Sequence, residues 1–345
     1  MPMNQCAVIL AAGEGKRMKS TRPKVLSPVL FKPMLSWVLD AVMGAGVKDA
    51  CVVTGFMREA VEDFLAHGGY PEAERVVQAE RRGTGHAVMM ARPFLERFQG
   101  GSVLVLNGDS PFIGADLIKG ALDFHISGGN AVTVISAKVE DPTGYGRIVR
   151  GEATGKLSAI VEQKDADEAT LKIREVNSGA FWFQVDSLLS VLDKIQNHNA
   201  QGEYYLPDAI RLLIASGQRA DAFSSADSCS VLGANDCVQL QLLNDIARSR
   251  VLTRLMLGGV EIPCRDGVLI GPDVTIGQDT CIYPGTIIKG NTKIGRGCTL
   301  GPNTYVSNSE IGDGCTLCQV NCERCTLPEN TRPAPFTNVT YAGQA

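Results

Sequence analysis

Two glycines and two cations near the amino terminus have the types and spacing to hold a polyphosphate. The stretch Ala7-Val8-Ile9-Leu10-Ala11-Ala12-Gly13-Glu14-Gly15-Lys16-Arg17-Met18 carries an apolar strand into a glycine-broken loop, and Pro23-Lys24 follows. Without a Cβ at Gly13 or Gly15, backbone N–H groups can approach a ligand closely. Arg17 and Lys24 add the positive charge that a triphosphate requires. No Ser or Thr follows Gly15-Lys16 to hold magnesium, so this is not a Walker A loop. The third glycine of the dinucleotide fingerprint is missing as well. A bare turn is the alternative reading of such a loop.

The elements that must position these residues can be read from periodicity. Cys6–Ala11, Ala50–Thr54, Ser102–Leu106 and Ala131–Ser136 are short runs rich in Val and Ile, as strands are. Met34–Met43, Arg58–His67, His86–Phe98 and Ala115–His125 place apolar residues at helical spacing between and after them. This alternation predicts a Rossmann-like α/β domain with a mostly parallel sheet, whose ligands sit at the carboxyl ends of the strands. Both the opening loop and Asn107-Gly108-Asp109 fall at such ends. From Asn235 to about Leu257 there is no Gly or Pro, and one long linking helix is expected.

After Gly258 the texture changes. Ile270, Ile276, Ile282, Ile288, Ile294, Leu300 and Val306 recur every six residues, four of them followed by Gly. The phase slips by one at Ile311-Gly312 and resumes at Leu317. A hexapeptide repeat of this kind predicts a short left-handed parallel β-helix with its aliphatic residues stacked inward. The expected organisation is residues 1–226 as the α/β domain, 227–260 as a linker, 261–330 as the β-helix and 331–345 as a tail.

Composition narrows the functional classes. The chain has 345 residues, 33 Lys+Arg against 37 Asp+Glu, and a formal net charge of −4. That balance advertises no nucleic-acid partner. No apolar run approaches a membrane span and no secretory leader is apparent, so a cytoplasmic protein with reduced thiols is expected.

Six further segments carry a resemblance. They are Gln78-Ala79-Glu80-Arg81-Arg82-Gly83-Thr84-Gly85-His86-Ala87, Asn107-Gly108-Asp109, Gly144-Tyr145-Gly146-Arg147-Ile148, Ile160-Val161-Glu162-Gln163-Lys164-Asp165, Val176-Asn177-Ser178-Gly179 and Gly202-Glu203-Tyr204-Tyr205-Leu206-Pro207-Asp208. With the opening loop and the hexapeptides, they resemble the bifunctional N-acetylglucosamine-1-phosphate uridylyltransferase/glucosamine-1-phosphate acetyltransferase family, from residue 4 to about 317.

The resemblance implies a reaction and roles. UTP and N-acetylglucosamine 1-phosphate would yield UDP-N-acetylglucosamine and pyrophosphate, with Mg²⁺ as cofactor. Leu10, Ala11, Ala12 and Gly13 would line the uracil and ribose, and Gln78, Gly83 and Thr84 would read the uracil edge. Thr84 could also cap the following helix. Asp109 and Asn235 would hold the metal, whose preference for oxygen ligands suits a carboxylate and an amide. Gly146, Glu162 and Asn177 would contact the sugar, and Tyr204 would close its pocket. Arg17 and Lys24 would neutralise charge during transfer. A homo-oligomer, with a trimer favoured, is also implied. Lys16, Asn107 and Pro207 depart from the residues usual in the family, the last two near the metal and the sugar. Rival readings are a pyrophosphorylase for another sugar 1-phosphate or dTTP, and a silent sugar-nucleotide-binding paralogue. The acetyltransferase half of such relatives uses later coils with a histidine-containing segment. No histidine follows His198 here, so no acetyl transfer is expected.

Seven of the eleven cysteines follow residue 260. Cys315, Cys318, Cys322 and Cys325 form C-x₂-C-x₃-C-x₂-C, which could suggest zinc or an iron–sulfur cluster. The middle gap is short for a zinc site, and Cys serves a coil as a small apolar residue. Cys264, Cys281, Cys298 and Cys315 recur every seventeen residues, near one coil, which favours stacking. Anaerobically purified protein is therefore expected to carry no stoichiometric metal on these thiols. About one zinc or one iron–sulfur chromophore per chain in elemental analysis would contradict that.

Overall fold

The computed structural model describes residues 4–151, 155–199 and 201–340. The chain forms two compact units, one comprising the residues up to Ser27 with Pro33–Gln239, the other Pro28–Lys32 with the residues from Leu240 onward.

The first unit is built on a nine-stranded sheet. Its strands in chain order are β1 (Gln5–Leu10), β2 (Asp49–Thr54), β3 (Glu74–Val77), β4 (Ser102–Asn107), β5 (Val132–Lys138), β6 (Arg147–Arg150), β7 (Leu157–Val161), β8 (Glu175–Gln184) and β9 (Ala220–Ser225). The spatial order is β9-β5-β8-β4-β1-β2-β3, with β6 and β7 attached beyond β8. β8 runs antiparallel to β4 and β5, while β1 is parallel to both β4 and β2. Alternate residues of one strand enter opposite cores. Cys6 and Val8 of β1, with Val103 and Val105 of β4, belong to one; Ala7, Ile9, Leu104 and Leu106 belong to the other. Both faces are covered, so these strands read as continuous apolar runs.

Helices α1 (Met34–Gly44), α2 (Arg58–His67) and α4 (Ala115–Ser127) cover one face through residues such as Leu35, Leu65 and Ile118. α3 (Thr84–Met90), α5 (Val185–Leu192) and α6 (Pro207–Ala215) cover the other through Val88, Leu188 and Ile210. Trp182 on β8 is fully buried and donates its indole N–H to Ile118 O at 3.1 Å, satisfying its one polar atom. The helix expected over His86–Phe98 is instead broken. α3 ends at Met90, and Pro93 starts a separate short turn at Arg92–Leu95, because proline fits the first turn of a helix but not its interior. The long helix α7 spans Cys237–Leu257.

The second unit is a left-handed parallel β-helix. Three sheets of five, four and three short strands make its faces. Ile270, Ile282, Ile288, Ile294, Leu300, Val306, Ile311 and Leu317 are buried as the hexapeptide phase requires, while Ile276 is half-buried. The coil runs further than the hexapeptides indicate: Thr326–Leu327 pairs with Glu310–Ile311, and Asn338–Thr340 pairs with Asn321–Glu323. The last turn lies beyond the expected boundary at residue 330. Its connecting segment contains Pro328, Pro333 and Pro335, which cannot donate to a ladder, and this hides the period.

The cysteines divide differently from their spacing. Cys281 pairs with Thr299, and Thr299 with Thr316, so the first coil is eighteen residues and the next seventeen. Cys298 and Cys315 stack above Thr280, not above Cys281, and Cys298 N donates to Thr280 Oγ1 at 3.1 Å. Cys322 takes the inward position of Val306, and burial pushes its thiol up to about 12.

One core residue of the first unit has a consequence for pH. His125 on α4 is 1% exposed; its Nδ1 lies 3.1 Å from Thr133 Oγ1 and its Nε2 has no partner. Burial lowers its pKa from 6.5 to about 4. The unfolded chain therefore takes up this proton first, and stability is lost as pH falls from about 6.5 toward 4. Between pH 7.5 and 4.5 the wild type should lose about 2–3 kcal/mol more than His125→Phe in denaturant titrations. Equal losses would refute the assignment.

Candidate active site

β1 and β4 lie side by side with Leu10 opposite Asn107, so their carboxyl ends open at the same level. Gly108 N donates to Leu10 O at 2.9 Å and joins the two loops that leave them. Gly108 fits because a Cβ would stand only 3.2 Å from that carbonyl.

The first loop turns at Gly15, whose φ of 62° is left-handed and whose Cβ would meet Lys24 Cβ at 2.8 Å. Only glycine suits both demands. Gly13 has nothing within 4 Å of a Cβ, so its open side faces the cleft, not the protein. Arg17 is exposed at the cleft wall. Arg81 Nη2 binds Glu14 Oε2 at 3.1 Å and ties the loop to the segment after β3.

Two compartments open here. The larger, about 840 Å³, is lined by Ala12, Gly13, Arg17, Lys24, Gln78 and Gly83 among others. The smaller, about 230 Å³, is lined by Gly146, Glu162, Asn177, Gly179, Tyr145 and Pro207 among others. Five residues line both: Leu10, Thr84, Asn107, Asp109 and Asn235. At that shared wall Lys24 Nζ contacts the Asp109 carboxylate directly and lies 2.9 Å from Asn235 Oδ1. The Lys24 and Asp109 side chains are 13% and 21% exposed, so water screens this cluster little.

One wall of the larger compartment is a backbone clamp. Gly83 has φ 106°, and its Cβ would meet Tyr204 O at 2.6 Å. Gly85 N donates to Tyr204 O at 2.7 Å, and Tyr204 N donates to Arg82 O at 2.8 Å. Thr84 begins α3 without capping it: Gly83 is the N-cap, and Thr84 Oγ1 accepts from Leu206 N at 3.1 Å. Gln78 is 4% exposed and is held by Gly83 and His86.

The smaller compartment is framed by β6, β7 and β8. A β-bulge between Asn177 and Ala180 turns β8, and Asn177 Oδ1 accepts from Gly179 N at 2.9 Å. Arg147, 1% exposed, donates to Tyr145 O and, at 2.7 Å, to Gln163 Oε1. Burial raises the pKa of Glu162, Asp165 adds to this, Arg147 opposes it and Asp208 adds again.

Most residues singled out in the sequence thus converge on the cleft, and two do not line it. Ala11 is turned into the core under the sheet, because neighbours along an extended chain point to opposite sides. Tyr204 lines neither compartment: both backbone groups are held by the clamp, and its ring lies 6.2 Å from that of His86. The lining residues assigned no role from the sequence include Tyr145 and Gly179, which lie within the quoted segments, and Gly233, which does not. A glycine inside a strand, Gly179, was the available signal for a bulge. A Cβ there would collide with Asn107 Nδ2, and Gly179 has φ 75°.

Known proteins resemble this chain over most of its length. The nucleotidyl transferase family matches residues 6–236. The bifunctional protein GlmU of Caldanaerobacter subterraneus subsp. tengcongensis is 43% identical over 333 residues, covering 96% of this chain and 71% of the relative. The bifunctional protein GlmU of Cutibacterium acnes is 40% identical over 338 residues, covering 96% and 80%. The chain belongs to the GlmU family of nucleotidyl transferases. The family match falls within the α/β unit that carries the cleft. Among the described residues no helix is long and apolar enough to cross a membrane.

Proposed function

We propose that this GlmU-family chain joins UTP to N-acetylglucosamine 1-phosphate, releasing pyrophosphate and forming UDP-N-acetylglucosamine. The observation that carries the reading is the shared wall, where Lys24, Asp109 and Asn235 meet between a large compartment and a small one. The large compartment suits a nucleoside triphosphate and the small one a sugar. Substrates so placed bring the sugar phosphate oxygen and the α-phosphorus together at the wall.

The attacking phosphate is already anionic, so no protein nucleophile is required. Its oxygen forms a bond to the α-phosphorus as the bond to pyrophosphate breaks in line, and positioning with charge neutralisation does the rest. Lys24 stands where it can bridge the two reacting phosphates, and exposed Arg17 can meet the leaving pyrophosphate. Asp109 and Asn235 fit Mg²⁺, since two hard oxygen donors already converge on one cation, the Lys24 ammonium. Bound there, the ion would supply further charge neutralisation on phosphate oxygens. Gln78, Gly83 and Thr84 would read the uracil edge, with Leu10, Ala12 and Gly13 beside base and ribose. Gly146, Glu162 and Asn177 would hold the sugar. On this reading residues 1–226, completed by Asn235 from the segment that follows, are the catalytic domain, and the enzyme is a cytoplasmic homo-oligomer, a trimer being favoured.

A second reading, with another sugar 1-phosphate, draws on Asn107 and Pro207, the family departures that line the small compartment. Pyrophosphate release across a panel of sugar 1-phosphates with UTP and dTTP tests both readings and the silent paralogue. Asp109→Asn and Asn235→Ala should each lower turnover by about 10²-fold or more while thermal unfolding stays cooperative. Near-normal turnover of folded Asp109→Asn would refute the metal role.

We also propose that these 345 residues carry no acetyl transfer, since the β-helix offers no imidazole as base for an attacking amine. Acetyl-CoA with glucosamine 1-phosphate should release no CoA above background. Release that disappears when the residues after 260 are deleted would overturn this.

A further inference from the structure

Gln78 presents its amide to the large compartment in a fixed orientation, and of the two groups that hold it, Gly83 lines the cleft and His86 lies outside its lining. Its Nε2 donates to Gly83 O at 3.0 Å and lies 3.0 Å from His86 Nδ1. A carbonyl oxygen can only accept, so the NH₂ end must be the end that faces Gly83. The second N–H then points at His86, and Nδ1 must accept it. Both amide hydrogens are thereby taken, and Oε1 is the amide atom left to meet a ligand in the large compartment that Gln78 lines. Gln78 is nearly buried, so the side chain has no room to offer other atoms.

We infer that His86 is a specificity-determining positioning residue, which as the Nε2–H tautomer locks Gln78 so that only an acceptor oxygen meets the base. This rests on the reading of the large compartment as a pyrimidine nucleotide site. An amide free to rotate could present either an acceptor or a donor, and would pair with a ring N–H or with a bare ring nitrogen. A locked acceptor pairs with the N–H at the 3-position of uracil or thymine and repels the lone pair that cytosine carries there. The ring of His86 is itself held by its tilted contact with Tyr204, whose backbone is fixed by the clamp. That chain of contacts gives Tyr204 a task in base selection although it lines neither compartment.

The tautomer can be measured without a variant. Long-range ¹H–¹⁵N correlation on the full chain should show neutral His86 protonated on Nε2; protonation on Nδ1 would overturn the inference whatever the substrate proves to be. The kinetic test compares kcat/KM for UTP and CTP. His86→Phe keeps an aromatic ring beside Tyr204 but offers no acceptor, and should lower the preference for UTP by about tenfold, mainly through KM for UTP. KM for the sugar phosphate should not move. His86→Gln, whose amide oxygen can accept the same N–H, should retain most of the preference. Unchanged preference in folded His86→Phe, or the same loss in both variants, would refute the locking role. A wild type with no preference for UTP over CTP would instead refute the assignment of the base, and the tautomer would still decide the lock.

Discussion

The site depends on one pairing, the parallel register that sets Leu10 beside Asn107 at the ends of β1 and β4. Each strand is apolar on both faces and can exist only between two helical layers. Once it is so buried, its carboxyl end is fixed to within a residue, since a slip of one would exchange the two cores. The glycine-broken loop therefore leaves β1, and Asp109 follows β4, at adjoining points that neither loop has to find for itself. The bond from Gly108 N to Leu10 O closes the gap between them. β8 then enters antiparallel beside β4, and its bulge at Asn177 brings the small compartment to the same level.

Much of this was legible because the signals were local. The alternation of apolar runs with helical patterns is written residue by residue, and so is the six-residue period of the β-helix. The glycine-broken loop and the cations that follow it lie within twelve residues of one another, from Gly13 to Lys24. What the sequence concealed depends on three-dimensional direction. Ala11 sits in the middle of the opening motif, yet the pleat sends it into the core while Leu10 and Ala12 reach the cleft. Tyr204 belongs to a motif around the small compartment, yet its backbone is consumed by the clamp and its ring is directed at His86.

The cysteines show the same limit from the other side. A spacing of seventeen is a property of the chain, whereas stacking is a property of the coil, and the first coil is eighteen residues long. One extra residue is enough to put Thr280, not Cys281, beneath Cys298. Thr280 remains acceptable there because its hydroxyl accepts from the Cys298 N–H and donates to Gly295 O at 2.9 Å. A buried hydroxyl with both partners costs little, so a small polar residue and a thiol can share one column. The final coil was hidden for a different reason. Its prolines interrupt the hexapeptide text without preventing Asn338–Thr340 from pairing with Asn321–Glu323.

Charge placement links the fold to the chemistry. Asp109 stands at a strand end that would be a poor place for a solitary carboxylate, being largely shielded from water. Lys24 answers it from the other loop, and Asn235 completes the oxygen cage from a third segment far along the chain. Removing one member of such a pair leaves the other charge partly buried and uncompensated, so the trio is coupled in stability. On the function proposed above, that coupling has a chemical use. Phosphate oxygens arriving at the wall would compete with Asp109 for the Lys24 ammonium, and the carboxylate would then need another cation. A substrate that carries its own divalent ion would meet both demands together, whereas an uncharged analogue would meet neither. On that reading the wall favours a metal-bound polyphosphate over either component alone, through the same ion pair that joins the two loops.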